Sequence, residues 1–461
     1  MKMVDFGEVR YLVTNEHHIT IANTGQMDVI FGFVNRLVDA NSGMPAGPFP
    51  SWLTVVVHQE IDRAGTGPSD LAQSARYRLL PGETTEISLV LNVREKEMVQ
   101  RLNSGDVVLD DILVLRISSG RDYFIPIKGV WLQSCFYRSI NELVQIPSGV
   151  RSLKTPTDEV NVQSQAPKIV VHSAPQELFM LTEIIPNLVE RVVADWDMLH
   201  ENEEPPWQTF SSHPWPFDYN DRIDLDNDAK AEKLADVLEA LDTAESIDKH
   251  MSSCTDMAEK LSLVSEVLVS FLASLTDGII TRDVWEALEP QLLKYEKSKT
   301  TMTTERLQDI TMEAVSSTPV HSVSLTFITF MLNRIIAEIT GSSLDKATLP
   351  QTSKLRERSS TSASAMSDVS LSSIASVKTK KSLFPSLVRR TTGSSITSSL
   401  TSPIVPETEP VNRGQLARRY AEMFAPLIIK SEEEPKTWAK DKKAQLSRKV
   451  KILEAFLSEP S

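Results

Sequence analysis

The sequence predicts a multidomain chain, with an all-β, immunoglobulin-like sandwich followed by an all-α helical domain. Three observations carry that reading. Apolar residues alternate with a period of two through the first third, recur at spacings of three and four beyond about residue 173, and give way to Ser and Thr between about 342 and 412. A length of 461 residues also exceeds what one ordinary core accommodates.

The β elements follow in order. In "HHITIANTGQMDVIFGFVN" a short strand reaches a turn at Asn23-Thr24-Gly25, after which Val29, Phe31 and Phe33 share one face. In "LLPGETTEISLVLNV" Pro81-Gly82 marks a turn, and Ile87, Leu89, Leu91 and Val93 oppose Glu86, Ser88 and Asn92. The stretch "LDDILVLRISSGRDYFIPIKGVWLQSCF" reads as a hairpin, Ile112 to Ser118 against Asp122 to Leu132, closed at Ser119-Gly120. Pro126 removes a ladder donor, which places its strand at a sheet edge or a bulge. With no helical pattern between these strands, the expected fold is an antiparallel sandwich over residues 1–136.

Beyond it, 137–172 reads as a linker, because Pro147, Pro156, Pro167 and Pro175 punctuate polar sequence. Helical spacing then appears at Leu178, Leu181, Ile185, Leu188 and Val192; at Leu234, Val237, Leu238 and Leu241; at Leu261 through Leu275; and at Val323 through Ile336. This predicts a helical domain over 173–341, resuming over 413–458 in "RGQLARRYAEMFAPLIIK" and "KKAQLSRKVKILEAFL". The intervening 342–412 has too little apolar surface to offset its ordering entropy and is expected to be a disordered insertion. Within it, "VRRTTGSS" sets Thr391 and Thr392 beside Arg389 and Arg390, the pattern of a basophilic kinase target.

Composition narrows the function. A net charge of −14 argues against a nucleic-acid partner, which requires a basic face. Two cysteines, Cys135 and Cys254, build neither a disulfide framework nor a four-ligand zinc site, and "MKMVDFGEV" lacks the apolar core of a signal peptide, so a cytoplasmic chain is expected. The most apolar stretch, "SVSLTFITFMLNRIIAEI", is interrupted by Asn333, Arg334 and Glu338 and reads as a buried helix.

Chemistry-bearing patterns are sparse. Cys135 has only Arg138 as a basic neighbour in sequence, and free cysteine at a strand end is generally a small buried hydrophobe rather than a nucleophile. Asp224, Asp226 and Asp228 occupy alternate positions of a calcium loop, but Ala229 replaces the turn glycine and Ala235 the bidentate glutamate, leaving a capped helix start with Asp228 as N-cap. Trp207, Trp215 and Phe217 in "PPWQTFSSHPWPFD" form either a binding cluster or a loop packing its own aromatics. There is no H-E-x-x-H, Walker loop or G-x-S-x-G, so no catalytic residue, metal site or cofactor is assigned.

"LDDILVLRISSGRDYFIPIKGVWLQSCFYRSINEL" resembles the end of the ASH domain of the type II, OCRL-like inositol polyphosphate 5-phosphatases, with D-I-L-V-L, G-R-D-Y-F-I and S-C-F in the family's order. "QELFMLTEIIPNLVE", "LEALDT", "VSEVLVSFLASL" and "MFAPLIIKSEEEP" are similar to the same family's degenerate RhoGAP-like domain. The family's phosphatase motifs of the W-x-G-D-x-N and P-A-W-x-D-R type are absent from the sequence, which is expected to be either part of a longer product or a non-catalytic relative.

The resemblance implies Rab GTPases as partners of the ASH domain through Phe124. It implies short helical Phe/His peptides of endocytic adaptors as partners of the helical domain through Phe179, where the family has Trp. Peripheral recruitment to endosomal or Golgi membranes through those partners follows. Active RhoGAP domains carry an arginine finger in a G-x-F-R-x-x-G loop. Here the matching region offers Arg222 in "NDRID" without the glycines, Val269 and Ala273 stand at the supporting Lys and Arg positions, Thr276 and Gly278 replace prolines, and Ala425-Pro426-Leu427 lacks the Asn of G-P-N-L-L. Binding without GTPase activation is expected, with an active Rho-family activator as the alternative.

Overall fold

The computed structural model describes residues 3–35, 47–58, 76–153, 173–200, 203, 205–208, 214–217, 227–298, 302–341, 412–431 and 439–458. The first part is a sandwich of two sheets. One runs in the order β1 (Val4–Val9), β8 (Asp122–Trp131), β7 (Asp110–Ile117), β3 (Val29–Phe33) and β5 (Arg76–Leu79); the other is β2 (Asn15–Ala22), β6 (Thr84–Leu91) and β4 (Leu53–Val57). Their inner faces bury Phe31, Phe33, Leu53, Ile87, Leu89, Leu91, Leu113, Leu115, Ile125 and Ile127, the residues that period-two alternation places inward.

Three expectations need correction. The sandwich is mixed rather than antiparallel, because β1 pairs with β8 in parallel. A helix, α1 (Lys96–Ser104), intervenes between β6 and β7; it buries Val99 and Leu102 and ends at Gly105, whose φ of 77° forms a left-handed C-cap. Strand β8 lies inside its sheet rather than at an edge. Pro126 is tolerated because β1 first pairs with β8 at Ile127, so the missing N–H faces the stretch where, among the described residues, β8 has no neighbour on that side.

The helical part comprises α2 (Ile140–Leu143), a 3₁₀ turn (Val150–Ser152), α3 (Gln176–Leu199), α4 (Asn227–Thr243), α5 (Ile247–His250), α6 (Met257–Ser274), α7 (Arg282–Ser298), α8 (Thr304–Val315), α9 (Pro319–Thr340), α10 (Arg413–Ile428) and α11 (Ala439–Leu457). The expected linker is folded over residues 137–153: Ser139 and Glu142 form a reciprocal capping box, and Ile140, Leu143, Ile146 and Val150 are buried in the common core. Residues 154–172 lie outside the described residues, as do 342–411 with Thr391 and Thr392, and also Arg222, Asp224 and Asp226. Helix α4 begins at Asn227, which puts Asp228 inside the helix rather than at its cap.

Helix α9 is long and apolar enough to cross a bilayer by length and composition. It packs on α3, α8, α10 and α11, and buries Leu325, Ile328, Met331, Leu332, Ile335 and Ile336. Helices α10 and α11, beyond the Ser/Thr-rich tract, belong to the same compact unit as the sandwich and the earlier helices. The aromatic loop packs its own rings: Trp207 lies 5.1 Å from Trp215, and buried Phe217 meets Phe424 edge-on at 4.8 Å.

Candidate functional site: two exposed aromatic faces and a buried joint

Strand alternation leaves Phe124 on the outer face of the five-stranded sheet, 60% exposed. Cross-strand register sets it opposite Val114, and Pro126 opposite Ile112, itself 55% exposed. Exposed Lys128, opposite Asp110, follows on the same face and separates the strip from exposed Val130. At one end Arg116 donates two hydrogen bonds of 2.8 Å to the Asp122 carboxylate, which holds that carboxyl below its usual range. Arg121 lies over the Tyr123 ring at 4.7 Å, a cation–π contact. An apolar strip on an otherwise wet sheet, rimmed by charges, has the composition of a docking surface.

Phe179 lies in the first turns of α3 and is also exposed. It meets Phe327 of α9 edge-on at 5.8 Å, with Phe330 exposed one turn further along α9. Arg334 of α9 reaches Asn187 and Glu190 of α3, closing the far end of this aromatic seam with polar contacts. Phe124 and Phe179 thus sit on different domains, each on its own surface.

Cys135 is neither on a surface nor poised as a nucleophile. It is fully buried, and burial together with neighbouring Asp242 pushes its thiol well above the ordinary value. Its amide donates to Asp242 Oδ1 at 2.8 Å, across the contact between the end of β8 and α4. Around that bond lies a polar joint that sequence reading missed. Asn103 of α1 spends all four of its hydrogen bonds there: its Nδ2 donates to the Ser134 and Phe136 carbonyls, and its Oδ1 accepts from the Ser134 amide and Trp131 Nε1.

Arg151 donates to Glu239 Oε2 at 2.7 Å, lies 3.1 Å from Asp242 Oδ2, and also hydrogen-bonds the Gln133 carbonyl. Gly149, at φ 80°, stands where a Cβ would come within 2.6 Å of the Asp242 carbonyl, so only glycine permits this approach to α4. Further along, the Asp277 carboxylate accepts from the Ile140 amide at 3.0 Å, and the Thr276 amide donates to the Arg138 carbonyl. His321 Nδ1 donates to the Ile279 carbonyl at 3.2 Å, which leaves Nε2 to accept from Asn141. No local pattern signals these pairings, because each joins residues far apart in sequence.

Among the described residues no group of three His, Cys, Asp or Glu side chains is placed to hold a metal ion. The positions that match the supporting cations of an active RhoGAP carry Val269, partly buried, and Ala273, exposed, on α6.

Known proteins agree with this arrangement over its β part. Residues 71–131, spanning β5 to β8, match the ASH domain of OCRL-like inositol polyphosphate 5-phosphatases. Over those residues the chain is similar to that family. It is 29% identical over 187 residues to the type II inositol 1,4,5-trisphosphate 5-phosphatase of Mus musculus, a match that covers 39% of this chain and 16% of the mouse protein. The ASH match includes the whole Phe124 strip of β7 and the paired part of β8.

Proposed function

We propose that this chain is a non-catalytic interaction and targeting module of inositol polyphosphate 5-phosphatase type, which docks a Rab-type GTPase on the β7–β8 face of the ASH domain. The carrying observation is the exposed Phe124, set among Ile112, Val114 and Pro126 on a sheet whose opposite face already fills the core. An aromatic anchor within an apolar strip and a charged rim supplies the large buried area and orientation that hot spots provide. The Phe179–Phe327–Phe330 seam supports a second contact, with the apolar face of a short helical adaptor peptide. Both contacts would recruit a cytoplasmic protein peripherally to endosomal or Golgi membranes, in membrane traffic and phosphoinositide signalling.

The reading excludes acceleration of GTP hydrolysis, since the arginine-finger loop and its supporting cations are missing from the sequence. Such a finger contributes about 10³ to 10⁵ in rate. Stimulation of that size on a Rho-family GTPase, lost on Arg222→Ala, would establish the alternative.

The direct test titrates the chain and its Phe124→Val variant against a panel of Rab GTPases in both nucleotide states. Loss of about 2 kcal/mol of binding to a GTP-loaded Rab with an unchanged melting temperature supports the proposal. Equal binding by both proteins places the GTPase surface elsewhere.

A further inference from the structure

Among the described residues at the joint, Glu177 carries a carboxyl that no other residue hydrogen-bonds. It stands in the first turn of α3, is 1% exposed, and both of its oxygens are buried without a hydrogen bond from any other group. The charges that act on it are Asp242 of α4, itself buried, and Arg138 of the segment that leaves β8. Arg138 is already committed, Nε to the Ser134 carbonyl at 2.9 Å and Nη2 to Gln133 Oε1 at 2.6 Å. Arg151 is committed to Glu239 and Asp242, and Glu239 also has Arg10 at 3.6 Å. Helices α6 and α9, which pack along α3, have their buried titratable side chains engaged elsewhere, Lys260 with Asp248 and His321 with the Ile279 carbonyl and Asn141. An ionised Glu177 would therefore be a dry, uncompensated anion beside a second carboxylate, whereas a neutral one costs far less to bury.

We propose that the joint between sandwich and helices is proton-dependent: a proton on the Glu177 carboxyl holds it closed, and loss of that proton loosens the contacts made across it. The electrostatics agree with the geometry. Desolvation raises the Glu177 carboxyl to about 8; its own backbone amide and Arg138 oppose the rise and Asp242 adds to it. The closed joint thus binds a proton that an opened, hydrated Glu177 releases at the ordinary glutamate value. Its tightness is complete below that ordinary value and declines as pH rises to about 8, beyond which both forms are ionised and the decline stops. The window includes neutral pH, so small changes in proton activity alter how firmly the ASH domain is held to the helical domain.

Hydrogen exchange on the full chain reads this directly, because the amides of Cys135, Ile140 and Thr276 donate across the joint. After correction for intrinsic exchange, protection of segments 133–142 and 274–278 should fall about tenfold per pH unit between pH 6 and 8, the factor that one unit of differential proton affinity supplies. Protection in the β2–β6 pair should stay constant. In Glu177→Gln, which keeps the shape and removes the ionisation, joint protection should be flat with pH and higher than wild type at pH 8. Glu177→Met serves the same purpose without a hydrogen-bonding group if the amide disturbs packing. Identical pH profiles in wild type and in the neutral variants would overturn the proposal. So would a loss of protection shared equally by β2–β6, which would signify global unfolding rather than a loosened joint.

Discussion

The two ends of the hairpin's second strand invert the usual partition of polar and apolar groups. Around Phe124, in the first half of β8, aromatic and aliphatic side chains remain in water; just past its end, around Cys135, charged and amide groups are sealed from it. Each arrangement has a cost. Apolar surface left exposed forgoes about 25 cal/mol per Å², and a buried charge costs several kcal/mol unless its partners are well placed. Most of the joint offsets its cost internally, since Asn103, Arg151 and Asp242 find partners across chain segments and Arg138 finds them within its own. The Phe124 strip has no such offset among the described residues. The buried polar cluster joins segments of one chain; the exposed apolar strip is the surface on which docking is proposed.

That contrast can be broken most forcefully at Asp242. Asp242→Ala removes the acceptor of the Cys135 amide and one carboxylate of Arg151, leaving buried donors unmatched, and should cost about 3–5 kcal/mol in denaturant unfolding of the full chain. A cost below about 1 kcal/mol would show that the joint is incidental to stability. Next comes the inner face of the strip's own strand. Leu113, 1% exposed, should lose about 3 kcal/mol on truncation to Ala, measured in the same way.

Gly149→Ala sharpens the comparison through backbone geometry alone. A Cβ would meet the Asp242 carbonyl at 2.6 Å and strain a φ of 80°, so about 2 kcal/mol of destabilisation is expected, together with faster exchange in 133–142. The smallest effect belongs to Ile112, one residue from Leu113 but facing out. Ile112→Ser should change stability by no more than about 0.5 kcal/mol while weakening Rab binding alongside Phe124→Val. If Ile112→Ser instead melts the domain as Leu113→Ala does, the outer face is covered in the folded chain and the docking surface disappears.

Much of the architecture was legible because it depends on short-range periodicity. Alternation in "EISLVLNV" placed Ile87, Leu89 and Leu91 inward, and the expected hairpin forms with Asp110–Arg116 against Asp122–Lys128, while Ser118 and Leu132 bond other strands. Helix α1 was missed, because Met98, Val99 and Leu102 followed by Gly105 give only a weak signal over nine residues between strong strands. The proline-marked stretch after 137 was misread because its apolar residues Ile140, Leu143, Ile146 and Val150 do not repeat over a full helix. They are buried by contact with distant segments. Pro126 was assigned to an edge for a sound reason, and the edge exists only over half the strand, where β1 has not yet begun.

Period-two alternation by itself put Phe124 on the face opposite Tyr123, Ile125 and Ile127, and the burial of Ile125 and Ile127 decided that this face is the outer one. The sequence likewise determined the order of β before α, the acidic balance and the loss of the arginine-finger pattern. Only the tertiary structure decided that Cys135 would meet Asp242, that Gly149 would lie against the end of α4, and that Glu177 would be left without a partner. Periodicity reports which face a residue occupies, a local property of the backbone. Desolvation and hydrogen-bond satisfaction depend on what distant segments bring to that face, and no local pattern encodes it.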